Sequence, residues 1–179
     1  FFKVQCRAML AAGELGVLSE RSEQTIMRRK EKEITKKSDI EAVIHKSLVC
    51  RVGLSDDNIP YIVPLCFGYQ DRTIYVHGSL KGRKTNILLK NQNVCFEFDI
   101  NTEIVEVENP CEWGMKYQSV IGLGKASFLE DPDDKRKALN IIMNQYSDRP
   151  FQFPENAIRG TAVIKIEIAS MTGKESGFK

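Results

Sequence analysis

Apolar and polar positions change their rhythm several times along the chain, and each change marks an element. After Ser38-Asp39-Ile40-Glu41, a capping-box pattern, Ile40, Val43 and Ile44 fall on one face of a short helix running to about His45. Leu48 to Leu54 then reads as a strand, Ser55 to Asn58 as a turn, and Ile59 to Tyr69 as a second apolar strand. Pro60 and Pro64 cannot donate to a ladder, so that strand belongs at an edge or a bulge. Gln70-Asp71-Arg72 turns the chain into a third strand, Thr73 to His77. Three strands joined by short polar turns predict an antiparallel meander.

Gly82 to Lys90 reads as a helix with Ile87 and Leu88 inward, and Val94 to Asp99 alternates again. Tyr117 to Leu129 is a long strand. Its glycines, Gly122 and Gly124, share one face and predict a sharp bend or a close backbone approach. Asp131-Pro132 pairs an N-cap with a first-turn proline and predicts a helix to about Tyr146. In Thr161 to Ile168, Ile164, Ile166 and Ile168 share one face. About six strands without regular strand–helix alternation predict a mainly β fold, an antiparallel barrel with peripheral α-helices.

Composition narrows the class without changing that picture. The 179 residues suffice for one domain, with 42% hydrophobic and 28% charged residues. A net charge of +2 gives no argument for nucleic acid. No apolar run is long enough to cross a membrane as a helix. Five cysteines lack metal-ligand spacing; Cys50, Cys66 and Cys95 lie in apolar runs and read as reduced core thiols, which favours the cytoplasm. Residues 1–26 carry no strand pattern and read as an extension of unknown role. The domain proper begins at Met27 with a basic, solvated lead-in: Arg28, Arg29, Lys30, Lys32, Lys36 and Lys37.

The candidate chemistry sits between Tyr75 and Asn86. A strand ends, a loop with Ser79, Lys81, Arg83 and Lys84 follows, and a helix begins. Free N–H groups at the helix start, its dipole and the cations make a phosphate cradle. Its glycine spacing is not that of a P-loop. His77 reads either as a core histidine or as a polar group beside a bound anion. Pro64 interrupts the second apolar strand and would free backbone groups for a flat ligand. Trp113, in a loop-like stretch, is a candidate cover for a ligand or a partner. No serine has a nucleophile elbow, so a hydrolase is unsupported.

Met27-Arg28-Arg29-Lys30, IPYIVPLCFGY, DRTIYVHGSLKGRK, YQSVIGLGKASFLEDPDDKRKAL and Ile168 to Glu175 occur in this order. Over residues 27 to about 176 the chain resembles the flavin-binding split-barrel proteins related to pyridoxamine 5′-phosphate oxidase, closest to their nitroimidazole-resistance branch. The resemblance implies a homodimeric split barrel with FMN, or FAD, at the subunit interface. It implies that Pro64, Leu65, Cys66 and Phe67 line the flavin ring and that His77 and Ser79 approach it. Lys84 matches the phosphate-binding lysine, with Lys81 as helper, and Tyr117 and Ser119 contribute from the barrel's other side. The function implied is an oxidoreductase passing electrons from NAD(P)H to a small electrophile such as a nitroimidazole, with His77 as the catalytic candidate. The alternative is a non-catalytic flavin or haem binder. A nucleic-acid-binding barrel is disfavoured by the near-neutral charge, and no metal is implied.

Overall fold

The computed structural model describes residues 28–178. The segment 1–26 and the start at Met27 lie outside them. Eight strands and four helices follow in the order β1 (Glu33–Ile34), α1 (Lys37–Lys46), β2 (Cys50–Asp56), β3 (Ile59–Leu65), β4 (Phe67–Gln70), β5 (Thr73–Ser79), α2 (Arg83–Lys90), β6 (Asn93–Val105), β7 (Gly114–Leu129), α3 (Pro132–Asn144), α4 (Glu155–Gly160) and β8 (Thr161–Ser176). The sheet runs β3-β2-β6-β7-β8-β5-β4, with β1 added to β8, and every pairing is antiparallel. It curls around one apolar core in which Phe67, Phe96, Phe98, Ile74, Ile164 and Ile166 are fully buried. The architecture is the expected mainly β split barrel with peripheral helices.

Turn chemistry fixes two hairpins. Asp57 and Asn58, between β2 and β3, both have positive φ, as do Asp71 and Arg72 between β4 and β5. Two-residue turns of that hand match the twist of paired strands. Asp131 caps α3 as expected, accepting from the N–H groups of Asp133 and Asp134 at 2.9 and 3.0 Å. The glycines of β7 work by close approach. A Cβ on Gly122 would stand 2.2 Å from the Phe96 ring, and one on Gly124 2.7 Å from Ile166.

Several expectations are corrected. Ile59 to Tyr69 is two strands parted at Cys66, and these lie at opposite ends of the sheet. The expected meander through this region is replaced by two separate hairpins, β2–β3 and β4–β5, and the barrel's seam falls between β3 and β4. The capping box does not form. Lys36 precedes the first turn without a side-chain cap, and Glu41 instead accepts from the Tyr69 hydroxyl at 3.1 Å. Tertiary contact outcompetes a local bond worth about 1 kcal/mol. The basic lead-in is structured: Lys32 donates to Ser176 at 2.8 Å, and Ile34, on β1, is buried against β8. Cys50 is buried, but Cys66 and Cys95 are exposed: alternation along β6 turns Cys95 to the outer face, and Cys66 lies in the break between β3 and β4. β8 extends past Ile168 to Ser176, paired throughout with β7.

Candidate functional site

An open cleft of about 270 Å³ lies where the edge strand β3 faces the loop between β5 and α2. One wall is Tyr61, Val63, Pro64 and Leu65; the other is Ser79 and the run Lys81 to Thr85. The two walls meet at Arg83, whose guanidinium sits over the Tyr61 ring at 4.4 Å. Because β4 departs to the far edge, β3 pairs on one side only, and its other backbone edge is open. The expected interruption at Pro64 is absent, since pairing with β2 is continuous from Ile59 to Leu65. The free backbone groups come from the edge position.

The cationic wall is built locally. Gly82, at φ 133°, breaks the strand direction and starts α2 with no side-chain cap, leaving the first-turn N–H groups unclaimed by any side chain. Thr85 Oγ1 donates to the Ser79 carbonyl at 2.9 Å and ties the helix start to β5. The Lys81 N–H donates to Ser79 Oγ at 3.2 Å. Lys84 turns back over Gly78, where a Cβ would collide with its Nζ at 2.6 Å, and donates to the His77 carbonyl at 3.0 Å. Burial holds the Lys84 ammonium below its ordinary pKa. Among the described residues, Lys81, Arg83 and Lys84 form no ion pair. A half-buried cation with no carboxylate beside an uncapped helix start suits an anion.

The structure therefore gathers Pro64, Leu65, Ser79, Lys81, Lys84 and the cradle cation Arg83 at one cleft, and adds Tyr61 and Val63, which the sequence reading did not assign to the ligand. The apolar alternation of Ile59 to Leu65 could have flagged Tyr61 and Val63 as one face. His77 is not a core histidine. It is exposed, on the same face of β5 as Ser79, and lost hydration, then the charge of Lys84, lowers its pKa. Cys66 lies at the seam, exposed. The Phe67 side chain is fully buried, and its N–H is already donated to the Tyr146 hydroxyl at 2.9 Å. Tyr117 and Ser119 do not line this cleft; they lie on β7, with Lys174 Nζ 5.6 Å from the centre of the Tyr117 ring.

The outward face of β3, β2, β6 and β7 carries a second feature. Registers Gly53–Ile62, Gly53–Cys95 and Cys95–Leu123 place Ile62, Cys95 and Leu123 in one row. Ile62, Leu123 and the adjacent Ile121 are 62%, 45% and 51% exposed. Beside them Arg51 bridges Glu97, at 3.0 Å, and Asp99.

A candidate 5-nitroimidazole antibiotic resistance protein of Bacteroides thetaiotaomicron is 37% identical over 79% of this chain and 85% of its own, with a TM-score of 0.73. A flavocytochrome of Azotobacter vinelandii shares the fold at 21% identity and TM-score 0.75, covering 86% of this chain and 73% of its own. A FAD and haem binding protein of Mycobacterium smegmatis does so at 17% identity and TM-score 0.75, covering 82% and 74%. No curated protein matches the chain. The family model described as pyridoxamine 5′-phosphate oxidase matches residues 36–175, from the start of α1 to the end of β8, and on that match this chain belongs to the pyridoxamine 5′-phosphate oxidase family.

Proposed function

We propose that this protein binds a phosphorylated flavin in the β3–α2 cleft and acts as a homodimeric, flavin-dependent oxidoreductase on small electrophiles. The observation that carries the reading is Lys84: a half-buried ammonium without a carboxylate partner among the described residues, beside the uncapped start of α2 and the open edge of β3. The residues fit such a ligand in kind. The α2 N–H groups, Ser79, Lys81 and Lys84 suit a phosphate, and Tyr61, Val63, Pro64 and Leu65 give a flat apolar wall with backbone acceptors.

The cleft's shape supports a second chain. Ligand pockets usually enclose most of the ligand. This cleft is open on one side, so a second chain would be needed to enclose most of a flavin there. The exposed row through Ile62, Cys95, Ile121 and Leu123 is the surface on which we place the partner, and Tyr117 and Ser119 on the same face of β7 would reach the ligand from that side.

A bound flavin supplies two-electron transfer. Ser79, Lys81 and Lys84 would hold its phosphate, the apolar wall of β3 would receive its ring, and the partner would exclude water. His77, whose pKa is lowered by lost hydration and then by the Lys84 charge, offers a hydrogen bond toward the acceptor. The relative described as a 5-nitroimidazole resistance protein makes a nitroimidazole the first acceptor to test, with NADH or NADPH as donor. We take FMN as the first cofactor, with FAD as the other form. Free thiols at Cys66, Cys95 and Cys111 support a reducing, cytoplasmic setting. Among the described residues no helix is long and apolar enough to cross a membrane.

The test is to titrate the apoprotein with FMN and FAD by fluorescence quenching and to identify any co-purified cofactor by mass. Saturable binding of either supports the reading, and none of either overturns it. His77, the catalytic candidate, is not among the residues that line the cleft, which favours a second reading as a flavin binder without turnover. A bound flavin that neither NADH nor NADPH bleaches, and that reduces no nitroimidazole when photoreduced, supports that second reading.

A further inference from the structure

Beyond Tyr117, where pairing with β8 ends at Ser176, β6 and β7 continue as a two-stranded ribbon through Glu103–Lys116, Ile104–Met115 and Val105–Gly114. Isolated two-stranded ribbons are marginal in water. This one also exposes apolar side chains: Ile104 58%, Trp113 50%, Met115 44% and Val107 41%. Its tip is shaped, not frayed. Trp113 Nε1 donates to the Val107 carbonyl at 2.8 Å, Asn109 caps the turn through the Cys111 N–H, and the Lys116 ammonium lies 4.8 Å from the centre of the Phe178 ring. A surface held in shape and left apolar is one that something covers.

Charge indicates what covers it. The ribbon carries Glu103, Glu106, Glu108 and Glu112, and of these only Glu103 has an ion-pair partner among the described residues, Lys116 at 3.6 Å. The rim of the cleft has the opposite character: Lys81 and Arg83, in no ion pair among the described residues, with Leu80 51% exposed between the strand end and the cations. Within one protomer the two are set apart. Registers Arg51–Pro64 and Arg51–Glu97 place the cleft level with Glu97, and Ile104 lies seven residues further along β6, roughly 20 Å at about 3.3 Å per residue. Met115 also shares its face of β7 with Ile121 and Leu123, so the ribbon's apolar pair continues the row on which the partner is placed.

We propose that the β6–β7 ribbon of each protomer docks on the Leu80–Arg83 rim of a second copy of this chain, setting Trp113 over the open side of that copy's cleft and Glu106 and Glu108 against Lys81 and Arg83. The contact is reciprocal, as a two-fold dimer requires. It leaves Lys84, turned inward toward the His77 carbonyl, free for the anion. The proposal rests on the cleft reading only for what the tryptophan covers; the docking itself needs no ligand.

The test uses the full chain with a photoreactive benzoylphenylalanine in place of Trp113, in unlabelled protein mixed with ¹⁵N-labelled wild type. Irradiation is expected to join the unlabelled arm peptide to a labelled peptide containing Leu80 to Arg83, with or without FMN. Glu106→Lys with Glu108→Lys should lower the yield several-fold, and a partner bearing Lys81→Glu and Arg83→Glu should restore it. A monomer by light scattering, products confined to one chain, products on other strands, or no rescue by the charge swap would each overturn the proposal. The FMN titration is read separately. Crosslinking at the rim in a protein that takes up no FMN leaves the docking standing and removes the cleft reading, whereas FMN uptake without the crosslink removes the docking alone.

Discussion

Lys84 lies across the backbone of Gly78: a Cβ at Gly78 would stand 2.6 Å from the lysine Nζ and 3.2 Å from its Cε. The bare glycine is what lets the ammonium reach the His77 carbonyl at 3.0 Å and hold its place at the cleft. Gly78→Ala should therefore displace the flexible end of Lys84 with little cost to the fold. The expected result is an unchanged melting temperature with weaker FMN binding by fluorescence titration. Unchanged binding would mean the position of Lys84 is immaterial.

Removing the cation altogether should cost more. Lys84→Ala is expected to weaken FMN binding by about 1.5–3 kcal/mol, the usual worth of a hydrogen bond to a charged group. The pH dependence has a definite sign. Burial lowers the Lys84 pKa in the free protein, and a phosphate dianion beside it would raise it again. Affinity should hold at neutral pH and fall as pH rises through the depressed pKa, starting below the ordinary 10.5. Titration at increasing pH should show this decline in the wild type and not in Lys84→Ala.

His77 titrates in the acid range. Its folded-state pKa lies below 6.5 through lost hydration and the neighbouring Lys84 charge, so between the two values the unfolded chain binds the proton more readily. The group's contribution to stability therefore falls as pH drops from about 6.5 toward the folded value. His77→Gln should flatten that limb of a urea-denaturation pH profile. His77→Ala should lower reductase turnover more than flavin occupancy; equal losses of both would assign it to binding.

The seam of the barrel is tied by one phenol. Tyr146, just after α3, accepts from the buried Phe67 N–H at 2.9 Å and donates to the Leu48 carbonyl at 3.0 Å. Burial pushes its pKa up to about 12, so the donor survives into alkaline solution. Tyr146→Phe leaves the Phe67 N–H unpaired and should destabilise the protein by about 1–3 kcal/mol. Urea denaturation measures it, and an unchanged midpoint would show that the seam is held elsewhere.

Much of the site was legible because its chemistry is local. Gly78 to Lys84 joins a strand end to a helix start within a few residues, so spacing alone placed the cations beside free N–H groups. Tyr61 was not assignable in this way. Its place opposite Arg83 depends on two segments some twenty residues apart being folded against each other. The capping box at Ser38 failed for the same reason: Glu41 is taken by Tyr69, a partner no local pattern reveals.

By itself the sequence determined the period of each strand, the two positive-φ turns, the Asp131 cap and the cationic loop, since all depend on backbone preference and near neighbours. Tertiary structure alone decided that β3 and β4, one residue apart in the chain, lie at opposite ends of the sheet, that β3 keeps a free edge, and that the β6–β7 ribbon stands clear of the barrel. Alternation says which side of a strand is buried but not which strand lies beside it. That choice comes from burying the whole core at once.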